Sequence, residues 1–442
     1  LSSGSDNSVL VLTSKGMSTI SFKLMTLEDK AMYFEKQVRQ RHIRNGFNSV
    51  NFLLKEPGNL STGQLVDSDN DGLWTSMYLG SQLFRYSVTK SEEAYQNILE
   101  SFDAMERLFE INNIKGFPSR SFEWDGYYKS DKKFWNTAED ENWSWKGTTS
   151  SDEAIGHYFA FCLMAEIIED ETLKQRAIKL IEEFTEHLID NDLYLVDKDG
   201  KPTRWDRWYP DYVNSFSENV GDRKLNSTNI IAFLQAAYHF TGKEKYKTKA
   251  YELFEKYGYL ENLLRPMKEI GVVDKEDELS AILSDKWNHS DDEMYFLSYW
   301  YLYPYAFTKE LQQKYKEAIK DHWNMERPEK DGLWNFSYAM TGATEFDLDE
   351  SIWYLKEYPL DMIDWTIKNS HRKDIELLPN NFRNQTTKEV LPPDERPSFK
   401  HNTNTFVIDR SNGGRGENSG DIFLLPYWMG RYLGVISAPN SN

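Results

Sequence analysis

Carboxylates gather where apolar stretches of this chain begin. Asp69-Asn70-Asp71 lead into a run from Leu73, Ser151-Asp152-Glu153 into AIGHYFAFCLM, and Ser290-Asp291-Asp292-Glu293 into MYFLSYWYLY. Three further starts are polar: Asn226 to Asn229, Trp334-Asn335 and Glu417 to Asp421. Two carboxyl groups at one mouth can cleave a glycosidic bond, one protonating the leaving oxygen and the other serving as base or nucleophile. Crowding raises one of the pKa values, which a general acid needs. Asp71 and Asp152 are the first catalytic candidates and Asp292 the next, with Glu153 and Asp291 beside them. Trp74, His157, Tyr158, Asn226, His289, Trp334, Trp428 and Arg431 lie close by in sequence as substrate contacts. Arg204 and Trp205 in PTRWDRWYPDY, Arg372 and His401 add loop candidates, since a guanidinium can clamp a carboxylate.

The same residues fit two other patterns. Asp67, Asp69, Asp71 and Gly72 match the first half of an EF-hand loop, but position 12 is Tyr78, which cannot close the site as a bidentate carboxylate. No calcium is expected there. No CxxC, HExxH or paired-histidine spacing is found, so neither a metal nor a cofactor is expected. Asp and Asn are also ordinary helix caps, and Ser150-x-x-Glu153 and Ser290-x-x-Glu293 have capping-box spacing. A cap needs one polar residue, whereas these starts carry two or three. His157 sits in an apolar run, as a core histidine would. DRSNGGRGENSGD (409–421) lacks GxGxxG and a Walker lysine, and is expected to be a loop over the mouth rather than a nucleotide cradle.

These candidates must be positioned by helices. Helices are predicted near 73–88, 154–168, 227–240 and 293–306 that are apolar nearly all round, and near 92–111, 171–189, 244–257 and 309–325 with a single apolar stripe. The first kind is buried and the second covers it. Three junctions repeat: Tyr86 to Thr89, Tyr238 to Thr241 and Tyr305 to Thr308 each show YxxT, a turn and a charged helix. A weaker pair near 332–341 and 360–370, a first helix near 26–44 and a last near 425–437 make twelve. Six hairpins close into an all-α (α/α)6 toroid, with the last helix as inner partner of the first. Parallel inner helices would bring the acidic starts to one mouth. The long connections 113–150, 190–224, 258–290 and 371–420 each precede an inner helix, and loops of that length are usually functional. Residues 8–23 alternate and read as a β-hairpin. The expected division is 1–25 as leader and hairpin, the stub of an upstream β-propeller, and 26–442 as toroid. A start at Leu1 suits a processed or trimmed product.

The bulk numbers narrow the function. A net charge of −19 over 442 residues argues against a nucleic-acid partner. No stretch of 18 apolar residues is present, so no membrane-spanning segment is expected. One cysteine, Cys162, permits no intrachain disulfide and leaves the compartment open. Fourteen tryptophans suit stacking on sugar rings as well as a packed core.

The YxxT hairpins, the NDGLW start and the acidic helix starts resemble six-hairpin toroid enzymes that act on glycans. These include unsaturated glucuronyl hydrolases, other six-hairpin glycosidases, toroidal polysaccharide lyases and sugar 2-epimerases. The resemblance spans roughly residues 26–440 at the level of layout, without the strand-rich C-terminal sandwich of most such lyases. It implies a bacterial enzyme of the periplasm or cell surface that degrades an oligo- or polysaccharide, uronate-containing, by carboxylate acid/base hydrolysis. A lyase using His157, Tyr158, Asn226, Arg204, His401 and Asn402, or a non-catalytic glycan-binding protein, are the alternatives.

Overall fold

The computed structural model describes residues 2–3, 8–14 and 16–439. Among them are fifteen α-helices and several small sheets. Six helices are buried on nearly every side: α2 (Asp71–Thr89), α4 (Ser151–Ile167), α7 (Gly221–Thr241), α11 (His289–Leu302), α13 (Gly332–Ala339) and α15 (Asp421–Tyr432). Six bury one stripe: α1 (Leu27–Arg41), α3 (Glu92–Glu110), α5 (Glu171–Asp190), α8 (Glu244–Tyr257), α12 (Lys309–Glu326) and α14 (Leu348–Glu357). Three short helices, α6 (Pro210–Val213), α9 (Tyr259–Leu264) and α10 (Glu278–Leu283), lie in the connections.

The two kinds alternate along the chain because their hydrophobicity does. In α4 no polar stripe exists, so the helix gains by burying every side. In α3, Ile98, Phe102, Met105, Leu108 and Phe109 face inward while the charged residues stay in water. Each buried helix packs on the next: α2 on α4, α4 on α7, α7 on α11, α11 on α13, α13 on α15 and α15 back on α2. The last of them, α15, also packs on α1, the first helix of the chain. One apolar cluster runs through all six. The arrangement is consistent with a helical toroid.

The junctions explain the repeat. Thr89 Oγ1 donates to the Arg85 carbonyl at 2.7 Å and accepts from Ser91 N at 3.2 Å around left-handed Lys90. Thr241 does the same around Gly242, whose φ of 65° favours glycine. The third repeat differs: α11 stops at Leu302, and Thr308 instead caps α12 by accepting from Leu311 N at 3.1 Å. The outer helix expected near 360–370 lies earlier, at 348–357, because Pro359 bars its continuation; residues 360–370 are mostly irregular.

Ser8–Thr13 and Gly16–Ser21 form the expected antiparallel hairpin, with Leu12, Met17 and Ile20 exposed. Small sheets also build the connections, as in Ser121–Trp124, Trp143–Lys146 and Trp135–Thr137 ahead of α4. Among the described residues no helix is long and apolar enough to cross a membrane.

Candidate active site

The starts of α4, α7 and α11 meet at an open cavity of about 370 Å³. Asp152 comes from α4, Asp222 and Asn226 from α7, and Asp291 and Met294 from α11. The walls come from two of the long connections: Trp205 on the strand Pro202–Arg207, Tyr212 on α6, Ile282 and Leu283 on α10, and Lys286 to Asn288 before α11. Trp205 is 42% exposed and offers a ring face at the rim, with the Arg204 guanidinium 4.5 Å from its centroid. Trp287 is buried beneath, and a β-carbon on Gly221 would lie 3.5 Å from its ring and 3.9 Å from Asp291 Oδ2. The start of α7 thus lies beside Trp287 and Asp291.

Each carboxyl in the cavity is biased toward its neutral form. Burial raises the pKa of Asp152, against the pull of Arg120 and the hydrogen bonds from Asn70 (3.1 Å) and Ser150 (3.3 Å). Burial lifts Asp222 to about 6. Burial lifts Asp291 well above the carboxylate range, and the charges of Asp222, Asp292 and Asp152 push it further; its one helper is Asn288 Nδ2 at 2.7 Å. Among the described residues none of the three is in an ion pair, and neither is Arg204 or Lys286. Behind the cavity, burial lifts Glu293 to about 8, opposed by His401 and reinforced by Asp152, and its Oε2 has no hydrogen-bond partner.

The other candidate residues are held elsewhere. Asp71 is buried against Arg44 and takes a hydrogen bond from Ser121 Oγ at 2.5 Å. Asp67 accepts from Ser130 N and Oγ at 2.5 and 2.8 Å, and Asp69 pairs with Lys146. The Lys146 ammonium, buried and 4.0 Å from Asp67, brings a protein cation to the half EF-hand sequence. Asp292 lies behind Asp291, accepting from Trp287 Nε1 at 2.8 Å and meeting His322 Nε2 at 3.1 Å. His289 Nδ1 lies 3.8 Å from it, and Trp334 Nε1 donates to Glu329 at 3.0 Å.

His157 and Tyr158 are core residues. His157 packs on Phe109 and Phe161, and burial lowers its pKa to about 3; Tyr158 stacks on Phe233 at 4.1 Å and bonds Thr185 at 2.7 Å. Trp428 is buried among helices, and Arg431, in the last turn of α15, bonds Glu28 and Tyr427. Arg372 is bound to Asp374 and Glu395 in its own loop. His401 bonds Asp331 at 2.8 Å, and Trp74 lies under Lys400 at 4.8 Å. Of the sequence candidates, Asp152, Asn226 and Trp205 line the cavity, with Arg204 beside its rim.

The capping-box spacings mislead. Ser150 makes no cap bond, and Glu153 reaches across to the neighbouring helix, accepting from Gly72 N at 3.0 Å and Leu73 N at 3.4 Å. It caps α2 rather than its own helix. Asn288, not Ser290, caps α11. Asp222 escaped the sequence reading because α7 starts at Gly221, six residues before the expected start. Its signal was the glycine-aspartate pair ahead of the asparagines.

No protein-family model matches the chain, and no curated protein matches it. Among solved structures it is similar to the crystal structure of a family 76 glycoside hydrolase from a bovine Bacteroides thetaiotaomicron strain. The identity is 10%, covering 72% of this chain and 74% of that chain, with a TM-score of 0.28.

Proposed function

We propose that this protein is a six-hairpin (α/α)6 glycan hydrolase that cleaves by carboxylate acid/base chemistry at the cavity between α4, α7 and α11. The observation that carries the reading is the meeting of Asp152, Asp222 and Asp291 in an open cavity beside aromatic rings, with no paired cation. Asp291 is the acid: Asp222 beside it and burial around it keep a proton on the pair. Asp152 is the base or nucleophile, its anion supported by Asn70, Ser150 and Arg120. Environments that separate two carboxyl groups in this way assign acid and base roles. Trp205 and Tyr212 provide faces for sugar rings. Arg204 and Lys286 are the cations beside the cavity that can receive a uronate, which the aspartates alone would repel.

The test is incubation with neutral and uronate-containing oligosaccharides, for the parent and for Asp152→Asn and Asp291→Asn. Hydrolysis yields a new reducing end without an unsaturated product; a lyase product carries a carbon–carbon double bond and absorbs in the ultraviolet. Retention of a glycan without turnover by the parent would make this a binding protein, and full activity in both variants would remove these residues from the mechanism.

A further inference from the structure

The first turn of α11 has a second face, turned away from the cavity. There His289 Nδ1 lies 3.3 Å from Glu329 Oε1 and 3.8 Å from Asp292 Oδ2, and one ligating atom from each residue falls within 4.8 Å of the others. All three residues are more than nine-tenths buried. His289 Nε2 meets the Arg383 carbonyl at 2.9 Å. A carbonyl only accepts, so Nε2 carries the hydrogen, and in the neutral ring Nδ1 is a lone pair. It faces Glu329 Oε1, which also only accepts when ionised, and neither atom has a hydrogen-bond partner. Either a proton on Nδ1, favoured by Glu329 and Asp292 against the cost of burial, or a metal ion satisfies this pair.

The surroundings orient these atoms as ligands. Trp334 Nε1 holds the other oxygen of Glu329 at 3.0 Å, and Trp287 Nε1 donates to Asp292 Oδ2 at 2.8 Å. With the Arg383 carbonyl on His289, every prospective ligand has an outer partner fixing its direction, as metal ligands do.

We propose that His289, Asp292 and Glu329 form a site for one Zn²⁺ ion. Zinc bound tetrahedrally at ~2.0–2.1 Å places neighbouring ligand atoms about 3.3–3.4 Å apart. The 3.3 Å pair fits this spacing, while Asp292 Oδ2, 3.8 Å from Nδ1, must draw in to reach the ion. An imidazole in the set favours zinc over magnesium or calcium. The adjacent group of Asp292 Oδ1, His322 and Glu326 is a weaker candidate because both nitrogens of His322 are engaged, although Glu326 Oε1 has no hydrogen-bond partner. His322 Nδ1 accepts from the Tyr299 hydroxyl at 2.8 Å, Nε2–H donates to Asp292 at 3.1 Å, and Arg383 holds Glu326. The ion would fasten the turn that presents Asp291 to the end of α12 and the loop at Arg383.

The test is elemental analysis of the full chain purified without chelator, followed by dipicolinate treatment and titration of Zn²⁺ into the stripped protein. Near-stoichiometric zinc is expected, with Tm falling by roughly 3–5 °C on stripping and returning with Zn²⁺. His289→Gln and Glu329→Gln should each lose the metal, and His322→Gln should keep it. A metal-free protein whose Tm ignores added Zn²⁺ overturns the site, whatever the variants do. Zinc that survives in both His289→Gln and Glu329→Gln, or that is lost only in His322→Gln, also overturns it. Metal content is read without any glycan, so failure here is distinct from failure of the hydrolase reading.

Discussion

At the start of α2, Asp69 is matched by Lys146 and Asp71 by Arg44, while Asp67 is held by Ser130. At the starts of α4, α7 and α11, Asp152, Asp222 and Asp291 line a cavity with no paired cation, and Asp152 and Asp291 meet only neutral donors, Asn70, Ser150 and Asn288. Both regions are acidic helix starts beside tryptophans, and residue type alone does not separate them. Where a buried guanidinium or ammonium closes the charge, carboxylates hold the fold together. Where none does, burial raises their pKa values, most of all that of Asp291, where repulsion adds to it, and acid and base roles can separate. The difference is made by cations from residues 44 and 146, distant in sequence from α2.

The strongest way to break this comparison is to neutralise each side. Asp291→Asn and Asp152→Asn should each cut the hydrolytic rate ~10²–10⁴-fold. Their unfolding midpoints should hold or rise, because an amide carries none of the cost of burying a carboxylate charge. Arg44→Ala should instead destabilise by about 3–5 kcal/mol, since it strands Asp71 and Glu123 as buried charges; chemical denaturation measures this. If Arg44→Ala left stability intact and abolished turnover, the two regions would have exchanged roles.

A pH titration sharpens the contrast. Asp222 is raised from 3.8 to about 6 in the fold, so the folded protein binds more protons than the unfolded chain between those values. Its ionisation therefore costs stability that is absent below the unfolded pKa and fully felt above pH 6. Asp222→Asn should stabilise at pH 7 by on the order of 1–2 kcal/mol, a gain that vanishes as pH falls toward 4. A gain independent of pH would mean the charge is not the cause. The smallest effect concerns the rim: Trp205→Ala should raise KM roughly 3–10-fold with kcat little changed, the loss of one exposed stacking face.

The helical order was legible in the sequence because hydrophobic periodicity is local. An all-apolar run such as AIGHYFAFCLM can only be buried, and a striped run such as that around Phe102 can only cover something. The acidic starts and the long aromatic connections were legible for the same reason. Which start becomes a cavity was not. Asp71 looked like a catalytic acid until Arg44 and Ser121 arrived from two other segments, and Glu153 looked like the cap of its own helix until α2 came beside it. Asp222 and Trp287 gain meaning only because the starts of α7 and α11 lie side by side. Local pattern sets what each segment must bury; the charge and solvent that each carboxyl meets depend on neighbours tens to hundreds of residues away, and only the tertiary structure supplies them.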